Sequence, residues 1–430
     1  MTPFHFAQSP GQAIHLAAAF LDNGHVDAAI KKLNTVLASN PDDARARALL
    51  VQAYARNGAE HFQKGLYEQA AEFQRKALEL RPDYADVLTD LGASYERMGR
   101  LEDAIDLHRS ALRQEPGMAR AHNNLAYALL ATGQWGEGFR EYEYRWHVPG
   151  AHKGGYAQPE WAGEPLAGRH LLVCAEQGLG DTFQFARFLA EIPDGQVTFY
   201  LNAQPHLHAL LQGLRWTGSV VREMPEAFDT YIPLMSLPRL FGCEPDAIPA
   251  KVPYLDPDPQ QVSRWHQRLG AGGFKIGVNW QGNPLGAADL GRSVPLAALA
   301  PLARLPGIRL ISLQKNHGLE QLSGLPPGMS VENLGEDFDS GGDAFVDTAA
   351  VMANLDLVIT SDTSVAHLAG ALGRPTWIML QNRPDWRWLR QGDDCPWYPN
   401  ARLYRQPTPG DWTSVAARLA ADAASLIAGC

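Results

Sequence analysis

The sequence predicts an α + α/β protein, a helical repeat array followed by two lobes of Rossmann-like rhythm. Three observations predict it. Gly65, Gly99 and Gly133 stand 34 residues apart, with Pro82 and Pro116 at the same step. Past Trp146 that period stops, and short apolar runs alternate with helical stretches. In the last third, Asp356-Leu-Val-Ile-Thr-Ser-Asp362-Thr-Ser-Val-Ala-His367 joins an apolar strand to a helix start through a polar turn.

A period of 34 is the length of a tetratricopeptide (TPR) unit, two helices joined by a turn. Leu91-Gly92, Tyr95 and Gly99 match the first helix of such a unit. Ala104, Ala111-Leu112 and Pro116 match the second helix and its stop. One unit earlier, Leu66 to Pro82 reads the same way, with Ala70, Ala77 and Leu78 in place. Leu16, Phe20 and Gly24 line up with Leu50, Tyr54 and Gly58. Seven residues are added between Gly58 and Gly65, so one inter-helix turn is expected to be long. The last unit runs from Ala119 through Leu125, Gly133 and Trp135 to about Trp146, giving four units over residues 1–147. Small residues let helices approach, large ones fill the seams, and glycine permits the turn. A plain amphipathic bundle has helical periodicity but no period of 34.

Bulk properties fit a multidomain protein without a membrane segment. A chain of 430 residues has room for two or three domains, each with its own core. The formal net charge of -10 argues against coating a nucleic acid or an anionic membrane. No apolar run approaches the roughly 20 residues that span a bilayer. The N-terminal Met1-Thr-Pro-Phe-His lacks the basic and apolar parts of a signal peptide, so a cytoplasmic location is expected. Cys174, Cys243, Cys395 and Cys430 are scattered and form no C-x-x-C. That pattern argues against a disulfide framework or a zinc site and fits a reducing compartment.

Pro149, Gly150, Gly154 and Gly155 mark a joint, after which a first lobe is expected over residues 148–256. His170 to Ala175 reads as a buried strand, Gly178-Leu-Gly180-Asp181 as a tight turn and Thr182 to Ile192 as a helix. Val197 to Leu201 and Val220 to Met224 read as further strands. This βαβ order predicts a parallel sheet. The passage Pro245, Pro249, Pro253, Pro257, Pro259 reads as a linker. The second lobe, residues 257–430, repeats the rhythm. Strands are expected at Phe274–Trp280, Ile308–Leu313, Leu357–Thr360 and Pro375–Leu380. Helices are expected at Leu296–Leu305, Asp347–Leu355, Ser364–Leu372 and Trp412–Ile427.

Two such lobes with a long final helix are the GT-B glycosyltransferase layout. The chain resembles bacterial fusions of TPR repeats to a glycosyltransferase, whose catalytic part is similar to the ADP-heptose:lipopolysaccharide heptosyltransferases (glycosyltransferase family 9-like). The resemblance covers nearly the whole chain. It rests on Gly178-Leu-Gly180-Asp181, on Gly277-Val-Asn279-Trp280-Gln281-Gly-Asn283, on Ser312-Leu-Gln314-Lys315, and on Asp362-Thr363-Ser364-Val-Ala-His367 with Gly370, Gly373 and Pro375. Ser364 stands where those enzymes commonly carry glycine, and the first lobe is short for a GT-B lobe. The plan is also similar to that of O-GlcNAc transferase. The resemblance implies a nucleotide-sugar donor site built from these motifs, with Asp181 as the base and no metal or other cofactor.

The residues support a chemistry of their own. The diphosphate of a donor must be held and stabilised as a leaving group. Backbone N–H groups at the helix start near Ser364, with the Thr363 and Ser364 hydroxyls, form an anion cradle. His367 lies one turn in, Lys315 ends a neighbouring strand, and Arg292 follows the Gly286-to-Gly291 loop in position to close over the phosphates. Taken singly, Asp362 reads as a helix cap and His367 as a packed core histidine. Together, at strand C-termini, they read as a ligand site. Asp181 reads either as the base that takes a proton from an acceptor hydroxyl or as a helix N-cap, with Glu176 as an alternative base. Gly178-x-Gly180 lacks the third glycine of a dinucleotide fingerprint, since Phe183 stands there, and no Walker A sequence occurs. Pro384-Asp-Trp-Arg-Trp388 reads equally as a stacking wall and as interlobe packing. His147, His152, His206 and His208 are scattered, and Asp256-Pro-Asp258 has D-x-D spacing but reads first as a turn.

TPR grooves hold extended peptides. The expected function is therefore an inverting, metal-independent transfer of a sugar onto a protein serine or threonine recruited by the repeats, with flagellin-like surface proteins as a partner class. A glycan or lipid-linked acceptor is one alternative. A non-catalytic TPR scaffold with a degenerate transferase domain is another. The sugar and the base of the donor are not written in one sequence.

Overall fold

The computed structural model describes residues 9–193, 195–202, 204–248, 251–285 and 291–428. The chain divides into two compact units, Met1–Ala151 and His152–Cys430.

The first unit is all helical. Its described helices are α1 (Pro10–Asp22), α2 (Val26–Ser39), α3 (Ala44–Gln63), α4 (Tyr67–Leu80), α5 (Ala85–Met98), α6 (Leu101–Gln114), α7 (Ala119–Ala131) and α8 (Trp135–Tyr142). Each packs on its neighbours in sequence, so the eight form four hairpins. α1 starts at a capping box of Ser9 and Gln12 with Pro10 at its first turn. The Asp43 carboxylate caps α3 by accepting from the Arg45 and Ala46 N–H groups. The turns inside the hairpins fall on Gly24, Gly65, Gly99 and Gly133, with φ of 80°, 75°, 82° and 82°. Glycine reaches that left-handed region without steric cost, so the sequence period is a record of backbone geometry.

One expectation about the array fails. The seven added residues lengthen a helix and not a turn, because α3 runs unbroken for 20 residues. Seven residues make about two helical turns, so the insertion returns the apolar face almost to its starting direction. Gly58 is therefore not a turn glycine. It lies buried inside α3 against Gln74 of α4.

The second unit contains two parallel sheets. The first lobe has β1 (His170–Cys174), α9 (Leu179–Phe185), β2 (Gln196–Tyr200), α10 (His208–Leu211), β3 (Ser219–Val221), β4 (Thr230–Pro233) and α11 (Leu237–Leu240). Its strand order is β3-β2-β1-β4. After the proline-rich passage come α12 (Pro259–Leu269), β5 (Phe274–Asn279), α13 (Ala300–Ala303), β6 (Ile308–Ser312), β7 (Val331–Glu332) and α14 (Val346–Ala353). Then follow β8 (Leu357–Ser361), α15 (Ser364–Ala371), β9 (Thr376–Leu380), β10 (Ala401–Arg405) and α16 (Trp412–Ala428). The second sheet has the order β10-β9-β8-β5-β6-β7, and every pairing in both sheets is parallel. Two separate parallel sheets with flanking helices give the two Rossmann-like lobes of a GT-B layout.

β4, β7, β10 and α12 add to the expected elements. The helix expected at Leu296–Leu305 is instead a 3-10 turn, Leu296–Leu299, followed by the single α-turn of α13. Pro301 falls in the first turn of α13, where its missing N–H is harmless, but it cannot sit inside a longer helix. The second lobe's core stacks Ile276, Val278, Ile359 and Met379 of the sheet against Trp412, Val415 and Leu419 of α16.

The two lobes of this unit are sealed together. α9 packs on α15. The buried Arg187 guanidinium donates to the Trp397 carbonyl at 2.9 Å and lies over the Tyr254 and Tyr398 rings at 4.9 and 5.0 Å. Tyr254, at the end of the first lobe, links both: its N–H donates to the Ala371 carbonyl of the second lobe at 3.1 Å and its hydroxyl to the Phe183 carbonyl of the first at 2.7 Å. Arg222 grips both oxygens of Asp343 at 2.6 and 2.9 Å.

Candidate functional site

The site is built at the C-terminal ends of β5, β6 and β8, where open parallel sheets bind ligands. A buried amide network fixes those ends. Asn279 Nδ2 donates to Gln314 Oε1 at 3.0 Å, and Asn279 Oδ1 accepts from the Thr363 hydroxyl at 3.0 Å and the Thr360 hydroxyl at 3.3 Å. Gln314 Oε1 also accepts the backbone N–H groups of Trp280 and Gln281, both at 3.1 Å. Its Nε2 donates to the Gln281 and His317 carbonyls at 2.9 and 2.7 Å. Two side-chain amides thus tie three strand ends and the start of α15 into one frame. Buried networks of this kind are rigid when every member is satisfied.

Beside the frame lies a cavity of about 440 Å³, within the range of small-molecule sites. Asn279, Gln281, Asn283, Gln314, Lys315, Thr363 and Ser364, all singled out in the sequence, border it. The Lys315 ammonium donates to the Phe338 carbonyl at its edge. Thr363 is the N-cap of α15 but makes no side-chain cap, because its hydroxyl is turned to Asn279. The first N–H groups of α15 thus lack a side-chain acceptor from their own cap, and Thr363, Ser364 and Val365 at that helix start border the cavity.

Trp280 is placed otherwise than expected. Its side chain is fully buried in the second lobe's core, and its indole N–H donates to the Gly318 carbonyl at 3.2 Å. Successive residues of an extended chain point to opposite sides, so the neighbour of an inward Asn279 faces the core. Trp280 backs the wall and does not border the cavity.

Gly178, Gly180, Asp181, Asp362, His367 and Arg292 do not border this cavity. They gather in an adjoining cluster at the lobe seam. α9 begins at Leu179 with Gly178 as N-cap, so Asp181 is its third residue and not its N-cap. Asp181 Oδ2 accepts the Gly178 N–H at 2.8 Å, and Oδ1 pairs with Arg387. Gly180 is pressed against His367, where a Cβ would come within 2.8 Å of the imidazole Cδ2. His367 stacks on Trp388, with ring centroids 5.1 Å apart, and its Nδ1 is hydrogen-bonded to the Tyr398 hydroxyl at 3.0 Å. Burial, with Arg387, Arg187 and Arg292 nearby, holds the His367 imidazole well below its usual pKa, so it is neutral at neutral pH. Burial and the repulsion of Asp385 push the Asp362 carboxyl up to about 6, against the opposing pull of Arg292 and Arg387.

Residues 286–290 of the expected loop lie outside the described residues, whereas Arg292 follows them close to Asp362. Glu176 Oε1 accepts the Met235 N–H at 2.9 Å. Trp386 and Trp388 are buried, and Arg387 reaches across to the first lobe, so this segment is interlobe packing. Asp258 caps α12, and Asp256 pairs with Arg215. Cys174, Cys243 and Cys395 are buried free thiols, and Cys430 lies outside the described residues. Among the described residues no group of three His, Cys, Asp or Glu side chains converges as metal ligands, and no helix is long and apolar enough to cross a membrane.

Sequence reasoning missed part of the cavity. Leu179 and His206 of the first lobe border it, with His317, Phe345 and Thr348 of the second. In the sequence His206 reads only as one of several scattered histidines. Phe345, at φ 65°, stands edge-on to Phe183 at 5.3 Å. The Gly341-Gly-Asp-Ala-Phe345 turn chemistry just before α14 was the signal available.

Tetratricopeptide-repeat family profiles match residues 15–85, 73–106 and 97–138. Protein FlbA of Caulobacter vibrioides is 27% identical over 447 residues, covering 95% of this chain and 72% of that protein. The small glutamine-rich tetratricopeptide repeat-containing protein 2 of Mycosarcoma maydis is 29% identical over 77 residues, which cover 18% of this chain and 22% of that protein. Among solved structures, E. coli ADP-heptose lps heptosyltransferase II is 15% identical, with a TM-score of 0.43, over 61% of this chain and 100% of its own. A solved MamA structure (AMB-1) is 26% identical, with a TM-score of 0.28, over 35% of this chain and 78% of its own. The N-terminal helical third of the chain is a tetratricopeptide-repeat array.

Proposed function

We propose that the chain is a nucleotide-sugar-dependent glycosyltransferase that moves a sugar, with inversion and without a metal, onto a serine or threonine of a protein held by the repeats. The observation that carries the reading is the start of α15, whose first N–H groups lack the Thr363 hydroxyl as a cap and lie beside a cavity at strand C-termini that Asn279, Gln281, Asn283 and Lys315 border. A diphosphate satisfies those N–H groups and gains from the helix dipole. Lys315, Gln281 and Asn283 border the same space and suit the remaining polar groups of a donor. Asp362 suits sugar hydroxyls better than phosphates, because a carboxylate beside a diphosphate repels it. Asp181 takes the proton of the acceptor hydroxyl as that oxygen bonds the anomeric carbon and the nucleoside diphosphate leaves. The repeats supply the acceptor, for which flagellin-like proteins are the class to try first, and the reaction takes place in the cytoplasm.

The test is a thermal-shift panel of nucleoside mono- and diphosphates, followed by nucleotide sugars in excess chelator. One diphosphate should stabilise the chain, since a ligand at 100 times its Kd adds about 2.7 kcal/mol. No stabilisation by any nucleotide would leave the scaffold reading standing. Loss of transfer on chelation, restored by magnesium or manganese, would place the enzyme in another transferase class.

A further inference from the structure

Two ion pairs and one amide hydrogen bond at the lobe seam converge on one guanidinium. Arg387 directs each of its three nitrogens to a different partner. Nε donates to Gln184 Oε1 at 2.9 Å, Nη1 to Asp385 Oδ1 at 2.8 Å, and Nη2 to Asp181 Oδ1. Gln184 and Asp181 belong to α9 of the first lobe. Asp385 caps the short 3-10 turn Trp386–Trp388 of the second. The guanidinium lies 4.3 Å from the Trp386 ring centroid, and the residue is only 8% exposed.

We propose that Arg387 is a positioning residue that holds the Asp181 carboxylate at the transfer site, with Asp385 as its counter-anchor. The proposal rests on the transferase reading above, in which Asp181 is the base. Asp181 is held at both oxygens, by the Gly178 N–H and by Arg387, which fixes its direction. Each carboxylate oxygen has two acceptor sites, so one contact per oxygen still leaves room for an acceptor hydroxyl. An arginine cannot give up its proton, so the cation stays in place throughout the reaction. When Asp181 takes the acceptor proton it becomes neutral, and its pairing with Arg387 weakens. Asp385 then keeps the buried guanidinium paired, so no isolated charge is left in the seam. A lysine cannot replace this fork, because one ammonium cannot reach three acceptors spread around a plane.

The test uses the full chain with the substitutions Arg387→Ala, Arg387→Lys and Asp385→Asn. Turnover with the donor found in the nucleotide panel should fall about 100-fold in R387A, the low end of what a general base contributes. The donor KM should stay close to that of the unaltered chain, and millimolar guanidinium should restore part of kcat in R387A. R387K should fold but remain slow, and D385N should lose less than R387A. A second readout is amide hydrogen exchange over residues 179–185, which should quicken in R387A and needs no turnover at all. Should the unaltered chain turn over no nucleotide sugar, the transferase reading falls, and the exchange readout alone decides whether Arg387 fixes α9. Unchanged kcat in R387A overturns the proposal, as does a loss that guanidinium does not relieve and that nucleotide binding shares equally. Unchanged exchange over α9 overturns it independently.

Discussion

Asp362 and His367 show how one environment acts on opposite chemistries. Burial favours the neutral form of each, so the carboxyl holds its proton longer and the imidazole takes one later. The folded pKa of Asp362, about 6, lies above its ordinary 3.8. Its contribution to stability is therefore complete below the unfolded value and is lost as pH rises through about 6. For His367 the folded value is depressed, so its contribution is present above the unfolded value of about 6.5 and is lost as pH falls below it. Replacing Asp362 with Asn removes the first effect only. The difference in unfolding free energy between D362N and the unaltered chain, read by chemical denaturation, should thus move in the variant's favour from pH 4 to pH 7, by roughly 1–3 kcal/mol at the upper end. A difference that does not vary with pH would show that Asp362 is solvated. Nucleotide-sugar turnover should nevertheless fall in D362N, separating its role from its cost. A second residue-scale prediction concerns Gly180. A methyl there meets an imidazole already held by Trp388 and Tyr398. Gly180→Ala should lower stability by about 1–3 kcal/mol, the usual cost of overpacking, and should weaken nucleotide binding as α15 shifts. Chemical denaturation and titration calorimetry read the two effects separately.

Among the elements, α3 gives the sharpest test of what a sequence period means. Deleting residues 44–50 removes seven residues and rotates the helix face by only about 20°, whereas deleting five rotates it by about 140°. The seven-residue deletion should therefore keep a cooperative helical array, and the five-residue deletion should not. Circular dichroism through a thermal melt distinguishes them. The period was legible because a turn glycine with positive φ is a steric requirement, repeated at Gly65, Gly99 and Gly133. The long turn was misread because seven extra residues look alike in sequence whether they extend a turn or a helix. Strands showed where burial makes a run of residues apolar, as at Leu357, Val358 and Ile359 of β8. They were hidden where they are short or at an edge. β7 has two residues, and β10 exposes Arg402 at the sheet margin. α12 was hidden because Pro259 is at its first turn, where proline favours a helix, inside a run that read only as linker. In the site, the strand-end motifs named most of the second-lobe wall. The first-lobe contributors Leu179 and His206 were not legible, because which residue reaches across a seam depends on how two sheets pack.

For the whole molecule, the division into two compact units sets a further prediction. A chain beginning at His152 keeps every residue assigned to donor and base. It should still hydrolyse the donor slowly with water yet lose transfer to a folded protein acceptor, because holding the acceptor hydroxyl in place is worth several kcal/mol. A truncated chain that modifies the acceptor at full rate would assign the repeats to another partner. The lobe seam bears on heredity. Phe185 of the first lobe packs on Trp386 and Trp397 of the second at 6.5 and 5.7 Å, and Arg187 has its carbonyl partner in the other lobe. Each lobe completes its own sheet but borrows part of its surface from the other. The pair should melt as a single calorimetric transition with matching calorimetric and van't Hoff enthalpies, whereas the repeats can fray unit by unit. Chimaeras that exchange one lobe with a distant relative should misfold, while chimaeras that exchange both lobes together should survive, so recombination is expected to have carried the two lobes as one inherited block.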